Sequence, residues 1–332
     1  MNRASLQAEI TRFVQHGEGD FDTLATRIFL RQRENNPVLG RMFSDNPPAG
    51  YTTIPAVPVA LFKSFDLGPH PPLPADRIFR TSGTTGQLRG TVRCRDTKLY
   101  DLAALKHFTS RVGDVPGHVI SLCPTDPDSS LGHMVHHASG GTELSLFSTL
   151  GVDIHAWKCL RTTCFLASTA FALDALFAQP GSATLGPDSL VVVTGGFKGR
   201  TVRLDSASLY REIGVRLGNP RVVGEYGMTE LSSQLWSDPV PAGEAPGEFV
   251  APGWMRVYAV DPVSGQPVQG EGVLRFVDLC NLDSPVAIET EDIGRVRPST
   301  NGDRVTLLGR IAGSDARGCS LRAEGFVQRA AP

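Results

Sequence analysis

Two separated segments hold residue types suited to phosphate chemistry. Arg80-Thr81-Ser82-Gly83-Thr84-Thr85-Gly86 is rich in hydroxyls and glycine, with no bulky side chain after Arg80. Glycine lets a backbone turn sharply and approach a ligand, while N–H groups and Ser or Thr hydroxyls can wrap phosphate oxygens. Far downstream, Gly224-Glu225-Tyr226-Gly227-Met228-Thr229-Glu230 places a hydroxyl beside a carboxylate, a combination that suits a phosphate and its Mg²⁺. Together they point to a site that handles ATP.

Neither segment decides the matter alone. The Thr81 loop is not a Walker P-loop, because Gly-Lys-Ser/Thr does not follow either glycine at the required offset. A Gly/Thr-rich turn by itself is commonly a surface turn. Its setting favours function: it lies between the apolar Ile78-Phe79 and the basic Arg89, Arg93 and Arg95, cations that could pair with a polyphosphate. Tyr226–Glu230 alone reads as a strand end with a capping threonine, yet Leu231-Ser232-Ser233-Gln234 prolongs its polar character. Two further segments matter only in company. Glu291-Asp292-Ile293-Gly294 is expected to present carboxylates on a tight turn, able to take both hydroxyls of a ribose. Gly309-Arg310 closes the next strand with a guanidinium that could reach the same sugar.

The elements that must position these residues follow from periodicity. Leu6, Ile10 and Phe13, then Phe21, Leu24 and Ile28, recur at helical spacing and predict two opening amphipathic helices, the second ended by Asn36-Pro37. Residues 46–75, crowded with proline, read as an extended packed connection. Asp96 is placed to cap a helix carrying Leu99, Leu102, Leu105 and Phe108. Val119–Cys123 reads as a buried strand, 167–179 as a helix, and Leu190–Thr194 as a strand running into Gly195-Gly196. A helix with Leu209 and Ile213 and a strand Arg221–Tyr226 follow. This alternation predicts mainly parallel sheet with ligand loops at strand C-terminal ends. Beyond the loop at 238–253, short strands near 254–260, 272–278 and 304–308 predict a smaller, largely antiparallel part. The expected organisation is an α/β core over 1–250 and a β-rich subdomain with a C-terminal tail over 251–332.

Composition narrows the function classes. The 332 residues carry a net charge of −2 and no basic stripe, which leaves nucleic-acid binding without support. No run of the sequence resembles a signal peptide or a membrane span. The six cysteines include no C-x-x-C pair, and a cytoplasmic, reduced protein is the expectation. His133, His136 and His137 sit close together without an accompanying carboxylate or thiolate, so they read as pocket lining rather than a zinc site.

The order of the motifs is the strongest signal. The Thr81 loop, the Gly195-Gly196 strand end, Tyr226–Glu230, Asp292 and Arg310 resemble the successive core motifs of the adenylate-forming superfamily: acyl-CoA synthetases, adenylation domains and firefly luciferase. A narrower group, the acyl-protein synthetases of the bacterial bioluminescence fatty-acid reductase complex, is similar over Val193–Arg200, Gly224–Gln234 and Ala316–Leu321. The resemblance covers most of the chain from about residue 60. It implies the α/β fold of the superfamily's N-terminal domain, with mainly parallel sheets flanked by helices plus a smaller antiparallel part. It also implies conversion of a carboxylic acid and ATP into an acyl-adenylate and pyrophosphate, then transfer to a thiol.

Carried over residue by residue, the resemblance assigns the β/γ-phosphates to Thr81, Ser82, Thr84 and Thr85 with the loop glycines Gly83 and Gly86. Thr229 would touch the α-phosphate and Glu230 would position Mg²⁺. Tyr226, followed by Gly227, would lie against adenine. Gly195 and Gly196 would line the adenine and acyl pocket, and Asp292 and Arg310 would bind ribose. Cys319 matches the context of the cysteine that carries the acyl group; a small buried residue is the plain alternative for it. Three departures stand out: Arg89 replaces the lysine common after the glycine loop, Thr290-Glu291-Asp292 replaces Thr-Gly-Asp, and the sequence stops short of the mobile C-terminal domain with its catalytic lysine. The expectation is therefore a truncated form in which Lys198 substitutes or the step proceeds without a lysine. The acid would be fatty or aromatic, and the acceptor Cys319 or a partner protein. A ligase forming an amide, ester or CoA thioester without Cys319, and an inactive nucleotide-binding scaffold, remain open alternatives.

Overall fold

Leu6, Ile10 and Val14 are buried on one face of the first helix, α1 (Arg3–His16), which begins where the Asn2 side chain accepts from the Ala4 N–H. Gly17 stops it at φ 72°, the left-handed conformation that glycine adopts without a Cβ penalty. Helix α2 (Phe21–Asn35) is capped by Asp20. Asn36 then closes α2 and opens α3 (Pro37–Met42), its Oδ1 accepting from the Val38 and Leu39 N–H groups while Pro37 takes the first turn. The computed structural model describes residues 2–44, 46–81, 88–114, 118–145, 147–148, 151–152, 163–178, 183–186, 188–195 and 204–311.

The chain divides into two units. One takes residues 1–106, 228–234 and 250 onward; the other takes 107–227 and 235–249. Strands of three or more residues are numbered below.

In the first unit, β1 (Arg77–Arg80) and β2 (Thr91–Cys94) form an antiparallel hairpin with Arg80 opposite Thr91. The helix α4 (Lys98–Val112) starts beyond it, and Asp96 Oδ1 accepts from the Lys98 N–H at 3.1 Å, as the sequence predicts. The 46–75 connection holds two 3₁₀ turns, Tyr51–Thr53 and Val59–Lys63.

The second unit is built on parallel strands: β3 (Val119–Leu122), β4 (Phe165–Thr169), β5 (Leu190–Thr194) and β6 (Arg221–Tyr226), each paired with the next in that order. Strand β5 is buried along its whole length, as expected of a strand covered on both faces. Helices α5 (Ser130–Ala138), α6 (Ala170–Phe177) and α7 (Ser206–Leu217) intervene. Leu173, Leu176, Phe177, Leu209, Ile213 and Leu217 pack with Leu166, Val191 and Val222 in one apolar core. The helix expected over 167–179 is thus a strand and a shorter helix. Thr169 ends β4, and its side chain accepts from the Ala172 N–H to start α6. The short strand β7 (Leu235–Ser237) returns antiparallel to β6.

Four further strands of the first unit pair consecutively and antiparallel, β8 (Met255–Val260), β9 (Glu271–Asp278), β10 (Ala287–Arg297) and β11 (Arg304–Arg310), while Val57–Pro58 pairs parallel with Ile288–Glu289 of β10. β10, 11 residues long, is the one of these four that periodicity leaves out. The expected mixed architecture, parallel strands with helices plus an antiparallel part, is the observed one. No helix among the described residues is long and apolar enough to cross a membrane.

Candidate active site

Thr81 and Arg89 close the base of the Gly/Thr loop. The Thr81 N–H donates to Gly90 O at 2.9 Å, and Thr81 Oγ1 accepts from the Gly90 N–H at 2.8 Å. Arg89 Nε donates to Thr81 O at 2.7 Å and its Nη2 to Arg80 O at 3.2 Å. The β1–β2 hairpin therefore holds both ends of the loop in register. Ser82, Gly83, Thr84, Thr85 and Gly86 lie outside the described residues.

Arg93 and Arg95, which the sequence offers as cations for a polyphosphate, are paired with carboxylates of the fold. Arg93 is buried and bridges Asp66 at 2.7 Å and Asp76 at 2.6 Å, while Arg95 meets Asp76 at 2.8 Å. Burial pushes the Asp76 carboxyl up, but the Leu73 N–H and the two guanidiniums outweigh it and leave its pKa below the usual range. A buried guanidinium needs such partners, so these two cations are spent on the fold.

Thr229 and Glu230 form a turn, with Glu230 buried and Thr229 half-buried. Its backbone is held by side chains rather than by a strand ladder. Asn281 Nδ2 donates to Glu230 O at 2.9 Å, and Asn281 Oδ1 accepts from the Ser232 N–H at 2.8 Å. Asp278 Oδ2 accepts from the Ser232 and Ser233 N–H groups at 3.1 and 2.8 Å; its Oδ1 accepts from Ser233 Oγ and the Cys280 N–H, both at 2.9 Å. Burial pushes the Asp278 carboxyl up to about 6, against the pull of these hydrogen bonds. Trp254 Nε1 adds a bond to Ser233 Oγ at 2.9 Å. Thr229 and Ser232 also line a cavity of about 30 Å³ with Arg3, Asp96, Tyr100 and Asp283, room for about one water.

Asp292 and Arg310 come together. Register places them opposite each other on β10 and β11, and Arg310 Nε donates to Asp292 Oδ1 at 2.8 Å. Arg310 Nη1 lies 3.8 Å from Glu291 Oε2. The Thr290 hydroxyl accepts from the Asp292 N–H at 3.1 Å and donates to Leu274 O at 2.9 Å. The expected tight turn at Glu291–Gly294 is instead the middle of β10, interrupted by a register shift against β11 between Ile293 and Gly294. Such a shift bends a strand and re-aims its side chains.

In the second unit, Gly195 leaves β5 at φ 73° with open space where a Cβ would stand. Backbone conformation, not crowding, calls for glycine there. Thr194 and Glu225 are register partners at the ends of β5 and β6, both buried, and the Thr194 hydroxyl donates to the Glu225 carboxylate. Tyr226 ends β6 with its ring 6.1 Å from that of Phe249. Gly227 follows, half-buried. Gly196, Lys198 and Cys319 lie outside the described residues. Of the three histidines, His133 stacks on His137, and His136 Nδ1 pairs with Glu143 Oε1 at 2.9 Å.

The donor set bears on Mg²⁺. No three His, Cys, Asp or Glu side chains cluster among the described residues. Mg²⁺ commonly takes one or two protein carboxylates and completes its octahedron with phosphate oxygens and water. A single carboxylate such as Glu230 fits that habit.

Sequence motifs gave no sign of Asp278, Asn281 or Gln32. The available signal was a carboxylate and an amide three residues apart, directly after the apolar run of β9.

No family model and no curated protein matches the chain. Among solved structures, ATP-bound MatB from Rhodopseudomonas palustris aligns at 18% identity over 70% of this chain and 47% of its own, TM-score 0.49. O-succinylbenzoate coenzyme A synthetase (MenE) from Bacillus subtilis, in complex with AMP, aligns at 17% over 70% and 49%, TM-score 0.46. The anthranilate CoA ligase AuaEII with anthranoyl-AMP aligns at 14% over 70% and 46%, TM-score 0.48. The chain spans about half the length of these structures. Similarity at this level carries no argument about activity, which rests on the chain's own residues.

Proposed function

We propose that the protein activates a carboxylic acid with ATP. A carboxylate oxygen attacks the α-phosphorus, the bond from that phosphorus to the oxygen bridging to the β-phosphorus breaks, and pyrophosphate leaves. A thiolate then attacks the acyl carbonyl and AMP leaves. The observation that carries this reading is the Asp292–Arg310 pair at 2.8 Å, which joins the two segments that the sequence offers as contacts for one sugar.

In this reading Asp292 and Arg310 take the ribose hydroxyls, Tyr226 the adenine face with Gly227, and Gly195 and Gly196 the pocket wall. Thr81, Ser82, Thr84, Thr85, the loop glycines Gly83 and Gly86, and Arg89 attend the β/γ-phosphates. Thr229 donates to the α-phosphate and Glu230 holds Mg²⁺, which when bound neutralises phosphate charge. Charge developing on phosphate oxygens is where fixed N–H, hydroxyl and cationic groups lower a barrier. Lys198 serves the adenylation step and Cys319 accepts the acyl group, or a partner protein's thiol does so. The acid is fatty or aromatic.

Trapping the intermediate tests this. Protein incubated with ATP, Mg²⁺ and a labelled acid is quenched with hydroxylamine; hydroxamate formed in step with AMP is expected. Thioester-bound label on the protein, lost in Cys319→Ala, is the expected mark of self-acylation. ADP in place of AMP would refute adenylation, and label surviving in Cys319→Ala would remove that cysteine.

A further inference from the structure

The segment after Tyr226 carries chemistry but has little regular structure of its own. Buried backbone groups require partners, and here they come from a loop about fifty residues downstream in sequence. The Asn281 amide spans the turn, donating to Glu230 O and accepting from the Ser232 N–H. Asp278 Oδ2 shares that Ser232 N–H at 3.1 Å and also accepts from the Ser233 N–H at 2.8 Å. These contacts bracket the residue whose carboxylate is assigned to the metal and lie next to the threonine assigned to the α-phosphate.

The loop is itself held from the N-terminal helices. Gln32 of α2, buried, donates from Nε2 to Asn281 O at 2.6 Å and Ser284 O at 2.5 Å, and its Oε1 accepts from the Val286 N–H at 3.0 Å. Arg3 of α1 grips Asp283 from Nε at 2.8 Å and from Nη2 at 2.5 Å. Asn281 Nδ2 also donates to Pro285 O at 2.9 Å, locking the loop on itself.

We infer that Asn281, seconded by Gln32, is a positioning residue for the Thr229–Glu230 pair. It holds the Glu230 carbonyl and Ser232 amide so that hydroxyl and carboxylate stand at fixed places before substrate arrives. This rests on the acid-activating reading. Preorganised groups gain their advantage by paying no rearrangement at the moment of reaction, so loosening the turn should lower turnover more than substrate binding.

The test is acid-dependent exchange of labelled pyrophosphate into ATP, measured for Asn281→Ala in wild-type and Glu230→Gln backgrounds. The expected result is a roughly 10–100-fold lower kcat in the wild-type background with KM for the acid within about threefold, and less than about threefold further loss when Glu230 is already changed. Equal losses in both backgrounds, or exchange at the wild-type rate, would overturn the inference. Amide hydrogen exchange supplies a second readout: Ser232 should lose protection in Asn281→Ala while β5 and β9 keep theirs, and unchanged protection overturns the inference. If Asn281→Ala does not fold, Gln32→Met, close in volume, is put through both measurements with the same outcomes. Wild-type protein that exchanges with no acid sinks the functional reading and this role with it, while hydrogen exchange still decides whether the clamp exists.

Discussion

Arg310 and Asp292 face each other across two antiparallel strands, and Arg310 Nε donates to Asp292 Oδ1 at 2.8 Å. The Asp292 carboxylate is buried, whereas about a third of the arginine side chain meets solvent. One partner is thus enclosed and the other is partly open to solvent. Because the nearby Thr290 hydroxyl binds the Asp292 N–H, the carboxylate is tied at its own backbone. Replacing either residue should weaken nucleotide binding. Hydrogen bonds to charged groups contribute about 1.5–3 kcal/mol, so Asp292→Ala is expected to raise the Kd for ATP by roughly 10–100-fold in calorimetry. Arg310→Lys, lacking the planar fork, should not restore the wild-type value.

Gly224 lies in β6 where a Cβ would stand 2.9 Å from Phe249 Cε1 and 3.2 Å from its Cζ. The same ring packs on Tyr226. Gly224→Ala should displace Phe249 and cost about 1–3 kcal/mol, the usual range for overpacking, read as a lower midpoint in urea unfolding. An unchanged midpoint would mean that the ring yields freely.

Removing Arg93 leaves the buried Asp76 with one cation fewer. Arg93→Ala is expected to lose about 3 kcal/mol of stability. The sign with pH follows from the depressed Asp76 pKa. A carboxyl with a lower pKa in the folded state contributes stability present above its unfolded value, near 4, and lost as pH falls through the folded one. The gap between wild type and Arg93→Ala should therefore narrow on acidification below about pH 4. A gap independent of pH would contradict the assignment.

Asp278 behaves in the opposite sense. Its carboxyl is pushed up to about 6 by burial, so between about pH 4 and 6 the folded chain binds a proton that the unfolded chain releases. Stability from this group falls as pH rises through that window. Linkage with those two values gives about 1 kcal/mol between pH 5 and pH 7. Wild type should accordingly gain about that much more than Asp278→Asn on going from pH 7 to pH 5 in urea titrations. Parallel behaviour of the two proteins would place the Asp278 pKa elsewhere.

The parallel strands β3, β5 and β6 were legible because their residues are buried almost throughout. Leu190-Val191-Val192-Val193-Thr194 announces itself as a strand whatever surrounds it. Phe165–Thr169 did not, since it runs into the apolar helix Ala170–Phe177 with no glycine or proline between, and a continuous apolar run has no period to read. β10 was hidden for another reason. Its charged residues Glu289, Glu291 and Arg295 and its Asp292-Ile293-Gly294 step look like solvated turn, and pairing with β9 and β11 is what makes them strand. Residue types single out Thr229, Glu230, Asp292 and Arg310 as candidates, because their chemistry is local. Asn281, Gln32 and the destiny of Arg93 were illegible, since each acts on backbone or charge far away in sequence.

The central claim is that an acid attacks the α-phosphorus of ATP at these motifs. Exchange of labelled pyrophosphate into ATP, run with Mg²⁺ across a panel of fatty and aromatic acids, tests it most directly. The expected result is exchange that depends on one class of acid and falls at least about tenfold in Glu230→Gln and Asp292→Ala. Exchange that ignores the acid, or that survives both substitutions at the wild-type rate, would contradict it.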